Sequence, residues 1–216
     1  MADQKFLLSM AAFVIFALVI SAVSPKDYLT WWLEVSPVII ALPLLAVTYR
    51  RFPLTPLLYT LIFLHALALI LGGAYTYAEV PLGYWIQDIF DLSRNPYDKI
   101  GHFMQGFVPA LLAREILLRG GYVANLRMLA FLSVCVALAI SAFYELIEWW
   151  GALALGQDAE AFLGTQGNPW DTQSDMFLAL IGAIFAVHAM ARVQDRQIAT
   201  IQKIIRGRNT SILSRP

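Results

Sequence analysis

The stretch Asn95-Pro96-Tyr97-Asp98-Lys99-Ile100-Gly101-His102 opens directly into an apolar run, and residues 168–175 echo it as Asn-Pro-Trp-Asp-Thr-Gln-Ser-Asp. Asn favours the N-cap of a helix and Pro its first turn, so each motif predicts a helix start. Residues four apart share a helix face, which places Asp98 beside His102 and Asp171 beside Asp175. Two helices are therefore expected to begin with acid or imidazole groups facing the same way.

The composition is typical of a polytopic membrane protein. Of the 216 residues, 59% are hydrophobic and only 14% are charged, whereas a soluble domain averages about 45–50% apolar and 25% charged residues. The single cysteine, Cys135, excludes an internal disulfide and a cysteine metal cluster. The chain also lacks a phosphate-binding Gly-rich loop, a Gly-x-Ser-x-Gly elbow and a His-Glu-x-x-His helix.

Six apolar segments are long enough to cross the roughly 30 Å hydrocarbon core of a bilayer. They are residues 6–23, 31–49, 54–75, 96–118, 128–150 and about 169–193, with loops at 76–95 and 151–168. We therefore predict an all-α polytopic protein. Residues 1–195 form a single six-helix transmembrane domain, and residues 196–216 form a basic cytoplasmic tail.

Charge predicts the orientation of these spans. With six crossings, 12 of the 15 Lys and Arg residues fall on one side and 12 of the 15 Asp and Glu residues on the other. The positive-inside rule then puts both termini in the cytoplasm and both motifs at the outer face. The basic tail fits attraction to anionic lipid headgroups better than nucleic-acid binding.

The two motifs also divide the last four spans into similar hairpins. Spans three and four, and spans five and six, each enclose a loop of about 20 residues that ends in Asn-Pro-aromatic-Asp. This arrangement suggests a parallel repeat of two hairpins, although only four matched positions carry it and a chance match is the alternative. Membrane proteins often place binding sites at the interface between such repeats.

Ionisable side chains converge at the predicted outer face. Such groups are costly at membrane depth, and they usually face a cavity, pair with each other or mark a site. Clustered carboxylates repel one another unless a cation neutralises them. We therefore expect a divalent metal ion (Mg²⁺, Mn²⁺ or Zn²⁺) as cofactor. The expected ligands are His102, Glu145, Glu148 and Asp175.

The remaining polar residues near the motifs have expected roles around that metal. Asp98 orients His102, and Asp171 serves as general base or as a partner of a ligand. The expected substrate-binding residues are Arg94, Lys99, Gln166 and Trp170.

Each of these residues also has a purely structural interpretation. Asp98 and Asp171 can simply cap their helices, and Glu145 with Glu148 can pair with Lys99 or with loop N–H groups. Tryptophans at span ends are common in the aromatic belt of membrane proteins. His65 and His188 are expected to be structural.

The residues Asn-Pro-Tyr-Asp-Lys-Ile-Gly-His-Phe-Met-Gln-Gly-Phe-Val-Pro-Ala (95–110) and Gly-Thr-Gln-Gly-Asn-Pro-Trp-Asp-Thr-Gln-Ser-Asp-Met (164–176) resemble the YjdF-type family of bacterial inner-membrane proteins. The resemblance covers nearly the whole chain. It implies a multi-pass protein of the bacterial inner membrane and implies no reaction. The spacing of acids and His102 is also similar to VanZ-like membrane proteins, in which a Gln commonly stands where this chain has Glu148.

Three functions are compatible with these residues. The first is a metal-dependent enzyme that hydrolyses or transfers a lipid or lipid-linked phosphate headgroup, because a metal ion can activate water and screen phosphate charge. The second is a binding or transport protein coupled to a cation or to protons. The third is a structural membrane partner without catalysis.

Overall fold

The computed structural model describes residues 3–155 and 166–213, and no strand occurs within them. The all-α fold is therefore confirmed. The helices are α1 (Gln4–Ser21), α2 (Tyr28–Thr48), α3 (Pro56–Tyr75), α4 (Pro81–Phe90), α5 (Tyr97–Arg119), α6 (Leu126–Leu155), α7 (Asp171–Ala189) and α8 (Ala191–Leu213), with a 3-10 turn at Tyr77–Glu79.

Five of the described helices, α1, α2, α3, α6 and α7, are long and apolar enough to cross a membrane. Helix α5 has 23 residues but carries charged side chains near both of its ends. It packs against α3, α6 and α7, and Ala110 and Leu111 at its middle are fully buried. Helix α5 therefore lies at the centre of the bundle, where its polar groups face protein rather than lipid. The crossing by α5, and with it the count of six spans, stays a prediction.

Contacts between helix ends show that the long helices alternate in direction. Thr55, just before α3, donates its hydroxyl to Glu115 near the end of α5 at 2.7 Å. Tyr144, late in α6, donates its hydroxyl to Glu34 near the start of α2 at 3.0 Å. The end at which α5 and α7 begin is called the motif end below, and the other end is called the basic end.

Helices α5 and α7 run parallel and in close contact. A side chain on Gly106 would overlap the carbonyl oxygen of Ala179, and one on Gly182 would overlap the carbonyl oxygen of Phe103. Small residues of this kind allow membrane helices to approach closely. Asp98 and Asp171, which open the two helices, have the same separation in the chain as Gly106 and Ala179. The two motifs therefore lie at the same position along the helix axes, at one end of the bundle.

The helix starts differ slightly from the predicted ones. Neither Asn95 nor Asn168 is the N-cap, because α5 begins at Tyr97 and α7 at Asp171. Each asparagine oxygen instead accepts the backbone N–H two residues ahead, from Tyr97 and from Trp170, at 3.0 Å in both cases. The asparagines therefore form equivalent turns just before the helices.

The prediction that residues 76–95 form a loop is wrong, because these residues contain α4. Pro81 stands in the first turn of this helix, and Asn95 donates to the carbonyl of Val80 at 3.0 Å, which fixes the helix to the first motif. The predicted loop at 151–168 begins too early, since α6 continues to Leu155. Residues 156–165 lie outside the described residues.

The predicted division at 195/196 falls within α8. Gln194, Ile198 and Ile201 of this helix are buried, and Gln194 donates to the carbonyl of Leu111 at 2.8 Å. The helix is therefore docked on the basic end by one face. The separation of a cytoplasmic tail stays a prediction.

Orientation is tested by labelling single cysteines in a Cys135→Ala background. Ser93→Cys lies at the motif end and Tyr122→Cys at the basic end, and both positions are exposed. We expect a membrane-impermeant maleimide to label Ser93→Cys in intact cells and to label Tyr122→Cys only after lysis. Labelling of Tyr122→Cys alone in intact cells would invert the predicted orientation.

Candidate functional site

Lys99 joins the starts of α5 and α7. Its ammonium lies 2.9 Å from Asp171 Oδ1, 2.5 Å from Asp175 Oδ1 and 3.3 Å from Asp98 Oδ2. It also donates to the hydroxyl of Ser174 at 2.9 Å. The side chains of Asp171 and Asp175 are about 6% and 5% exposed, so these are interactions shielded from water, where an ion pair is screened little.

Asp171 is held by two cations. Arg94, in the segment before α5, lies 2.9 Å from the same Oδ1 atom that Lys99 contacts. The amide of Asn168 approaches that oxygen at 3.4 Å. Asp171 also stands at the N-terminus of α7, where the helix dipole favours negative charge. These contacts are those of a carboxylate that fixes the start of a helix.

His102 lies one turn into α5 among oxygen acceptors. Its Nε2 atom is 3.2 Å from Asp98 Oδ1 and 3.8 Å from Asp175 Oδ2. Its Nδ1 atom is 3.0 Å from Gln105 Oε1 and 3.7 Å from Glu145 Oε1. The predicted neighbourhood of Asp98 and His102 is therefore present, and α7 contributes a second carboxylate to the same ring nitrogen.

The end of α6 brings two further acids to this place. Glu145 is buried, and its Oε1 atom has no hydrogen-bond partner among the described residues. Glu148 lines a small cavity together with Asp98, His102 and Gln105. Unsatisfied buried carboxylate oxygens are costly, so the position of Glu145 requires a physical explanation.

Glu34 of α2 and Gln105 of α5 are site residues that the sequence did not predict, and Glu34 is the acidic one. It lines the same cavity and accepts hydrogen bonds from Tyr144 and Tyr77. Burial, followed by the nearby Glu34 carboxylate, raises the pKa of Tyr77 well above its usual range, which keeps this phenol a donor. A lone acid inside an apolar span was the available signal, because such residues commonly mark functional sites.

The cluster carries more acids than bases. Six carboxyl groups face Arg94, Lys99 and one imidazole, so the acids outnumber the two permanently charged bases by four. Ligand atoms of Asp98, His102 and Asp175 all lie within 4.8 Å of one another, which makes them a possible metal-binding group. The six acids are Glu34, Asp98, Glu145, Glu148, Asp171 and Asp175.

The structure brings most of the predicted site residues together, with one change of emphasis. Asp98, predicted to orient His102, belongs to the candidate ligand group itself, while Glu145 lies at its edge. Gln166 donates to the carbonyl of Asn95 at 3.3 Å. Trp170 is 69% exposed. The roles of these residues stay predictions.

A model of a family described as predicted membrane proteins, DUF2238, matches residues 6–196. The chain belongs to the DUF2238 family. It is also 64% identical over 181 residues to the inner membrane protein YjdF of Escherichia coli (strain K12), covering 84% of this chain and 87% of that protein. No solved structure matches it.

The membership confirms the resemblance to YjdF-type proteins and a multi-pass location in the inner membrane. It supplies no reaction. The similarity to VanZ-like proteins stays an expectation.

Removal of Lys99 tests its role in holding α5 to α7. Lys99→Met leaves buried carboxylates without their cation, and we expect a loss of about 3 kcal/mol of folding free energy. Adding Asp175→Asn should recover part of this loss, because one stranded charge disappears. The measurement is thermal or denaturant unfolding in detergent.

Lys26→Met provides the matched control. Lys26 pairs with Glu79, and both side chains are nearly half exposed, so we expect a change below about 1 kcal/mol. Equal effects of Lys99→Met and Lys26→Met would show that Lys99 does not join the two helices.

Proposed function

We propose that this DUF2238 protein is a membrane-embedded, metal-dependent enzyme that acts on a lipid or lipid-linked phosphate headgroup at the motif end. In this proposal Asp98, His102 and Asp175 hold one divalent ion, and Glu145 completes the ligand set. Metal-assisted hydrolysis or transfer at phosphate is the reaction class that suits oxygen-rich ligands beside one imidazole.

The surroundings of His102 carry the proposal. A neutral imidazole has one donor and one acceptor nitrogen, yet both nitrogens of His102 face oxygen atoms. A proton on Nδ1 that bonds Gln105 leaves the Nε2 lone pair directed at Asp98 and Asp175. A metal ion at Nε2 would satisfy this lone pair and both carboxylates, with Gln105 orienting the ring as outer partners of metal-bound histidines commonly do.

The charge balance and Glu145 supply independent support. An acidic cluster alone is common without a metal, but Glu145 adds a buried oxygen that lacks a partner in the described part of the chain. A divalent ion would neutralise part of this excess of acids, and the Glu145 side chain, whose Oε1 atom lies 3.7 Å from His102 Nδ1, would turn toward the Nε2 side to join the ligands. The competing arrangement is proton uptake by His102 and by some of the buried carboxyl groups, which would neutralise the cluster without an ion and which the elemental analysis described below distinguishes from the proposal.

The surface at the motif end favours a lipid substrate. Arg94 and Lys99 pair with acids of the cluster, and their side chains remain about 25% and 20% exposed, so both can offer positive charge to an approaching phosphate group. Helix α4 lies beside them and exposes Leu82, Trp85 and Phe90. Exposed aromatic and aliphatic side chains on one face of a helix are typical of insertion at the level of lipid headgroups.

Transport of a cation or of protons is the second candidate. His65, whose buried Nε2 atom has no partner in the described residues, extends the polar groups inward from the cluster. Between His65 and the basic end, however, the bundle is filled by an apolar cluster that includes Leu58, Phe107 and Leu111. This apolar layer separates the cluster from the basic end. It therefore favours a site that opens only at the motif end, and it argues against a polar path across the bundle.

The metal is tested on the purified protein in detergent by elemental analysis and by melting with and without chelator. We expect about one divalent ion per chain, and chelation should lower the melting temperature by roughly 5–10 °C if the ion is bound at about 100 times its dissociation constant. His102→Gln and Asp175→Asn should abolish the chelator effect. His188→Gln is the control, because His188 is exposed and distant from the motif end.

The same preparations are then assayed for phosphate release from lipid phosphates and lipid-linked diphosphates. Release that requires the added ion and is lost in Asp175→Asn supports the enzyme. Bound metal without release from any of these substrates favours cation binding or transport. Wild-type protein without metal and without a chelator effect would overturn the proposal and favour a structural role for the acids.

A further inference from the structure

The first three helices enclose a groove of about 390 Å³ that is separate from the acidic cluster. Helices α1 and α2 each pack against α3 and make little contact with each other, so α3 forms the floor and the other two helices form the walls. The volume of the groove is within the range of small-molecule sites, about 300–1,000 Å³. Residues from each wall and from the floor include Leu7, Ala11, Leu42, Leu45, Ile62 and Phe63.

The groove is apolar along its length and polar at one end. The polar lining residues Gln4, Tyr49 and Arg50 stand together where α1 begins and α2 ends, at the basic end of the bundle. An apolar channel inside a bilayer with a guanidinium at its mouth matches the chemistry of a phospholipid. Basic pockets between transmembrane helices are known to bind anionic headgroups.

We propose that this groove binds one anionic phospholipid, with an acyl chain lying between α1 and α2 and its phosphate against Arg50. The lipid fills space that the first two helices leave open and fixes α1, which has little other support. Val14 is the single buried residue among the 18 residues of α1. The site lies at the opposite end from the proposed enzyme site and does not depend on it.

Charge favours a lipid over a second copy of the chain. Arg50 lines the mouth of the groove, so two copies that met there in the same orientation would bring their Arg50 side chains together. An anionic headgroup meets this charge with the opposite sign. Arg50 thus selects both the class of occupant and the leaflet from which it comes.

Two pairs of adjacent residues provide matched variants. Ala11 lines the groove, whereas Ala12 is exposed on the same helix, so Ala11→Phe fills the groove and Ala12→Phe does not. Arg50 lines the mouth, whereas Arg51, which is also exposed, does not. Arg50→Gln and Arg51→Gln therefore remove the same charge from inside and outside the site.

The experiment is native mass spectrometry of the full chain after a delipidating detergent wash and titration with phosphatidylglycerol. We expect about one retained lipid per wild-type chain, and weaker retention of phosphatidylcholine. Ala11→Phe should lose this lipid and Ala12→Phe should keep it. Arg50→Gln should weaken phosphatidylglycerol binding about fivefold, the effect of one basic side chain near an anionic headgroup, and Arg51→Gln should have little effect.

Three results would overturn the proposal. The first is equal lipid retention by Ala11→Phe and Ala12→Phe. The second is equal affinity for phosphatidylglycerol and phosphatidylcholine in wild type, with no difference between Arg50→Gln and Arg51→Gln. The third is a wild-type dimer that Ala11→Phe converts to a monomer, since the occupant would then be a second chain. If Ala11→Phe fails to fold, the two arginine variants decide between these outcomes.

Discussion

The ammonium of Lys99 lies between carboxylates of two parallel helices, and the arrangement of the motif end depends on it. It contacts Asp98 in its own helix and Asp171 and Asp175 in α7. Further along the same pair, Gly106 and Gly182 remove the side chains that would keep the backbones apart. The ion pairs at one end and the close backbone contact in the middle therefore fix α5 against α7. They also fix the position of His102 relative to the acids of α7.

The basic end uses the same kind of interaction for a different purpose. Glu115 is fully buried, accepts hydrogen bonds from Thr55 and pairs with Arg119 at 2.7 Å. Arg114 contacts Gln194 and Asp195 of α8 at 3.0 Å and 2.7 Å. Each charge in this group has a near partner of opposite sign, as expected of polar groups whose role is to dock helices. The motif end differs because its acids exceed its bases.

Much of this arrangement follows from the sequence. Spacing alone places Asp98 beside His102, because residues four apart share a helix face, and alternation of spans brings Glu145 and Asp175 to the same end. The partner of each acid could not be predicted in this way. Whether Lys99 turns toward Asp98 or toward α7 depends on the distance between α5 and α7. That distance is set by Gly106 and Gly182, at which the two backbones come into contact.

Two features at the motif end depend on tertiary packing that the sequence does not reveal. Glu34 is a single acid in an apolar span, and nothing in the spacing of α2 indicates that it meets Tyr144 and Tyr77. Helix α4 is short and lies between polar residues, so its ten residues look like part of a loop. Both features depend on how the helices meet in three dimensions, which the sequence pattern of a single segment does not show.

If the acids around His102 hold a cation, pulsed electron paramagnetic resonance of the purified protein loaded with Mn²⁺ will detect the imidazole beside the ion. We expect hyperfine coupling to one imidazole nitrogen, which disappears in His102→Gln and persists in His188→Gln. A bound Mn²⁺ that shows no nitrogen coupling in the wild-type protein, or the same coupling in His102→Gln, would contradict a cation site at His102.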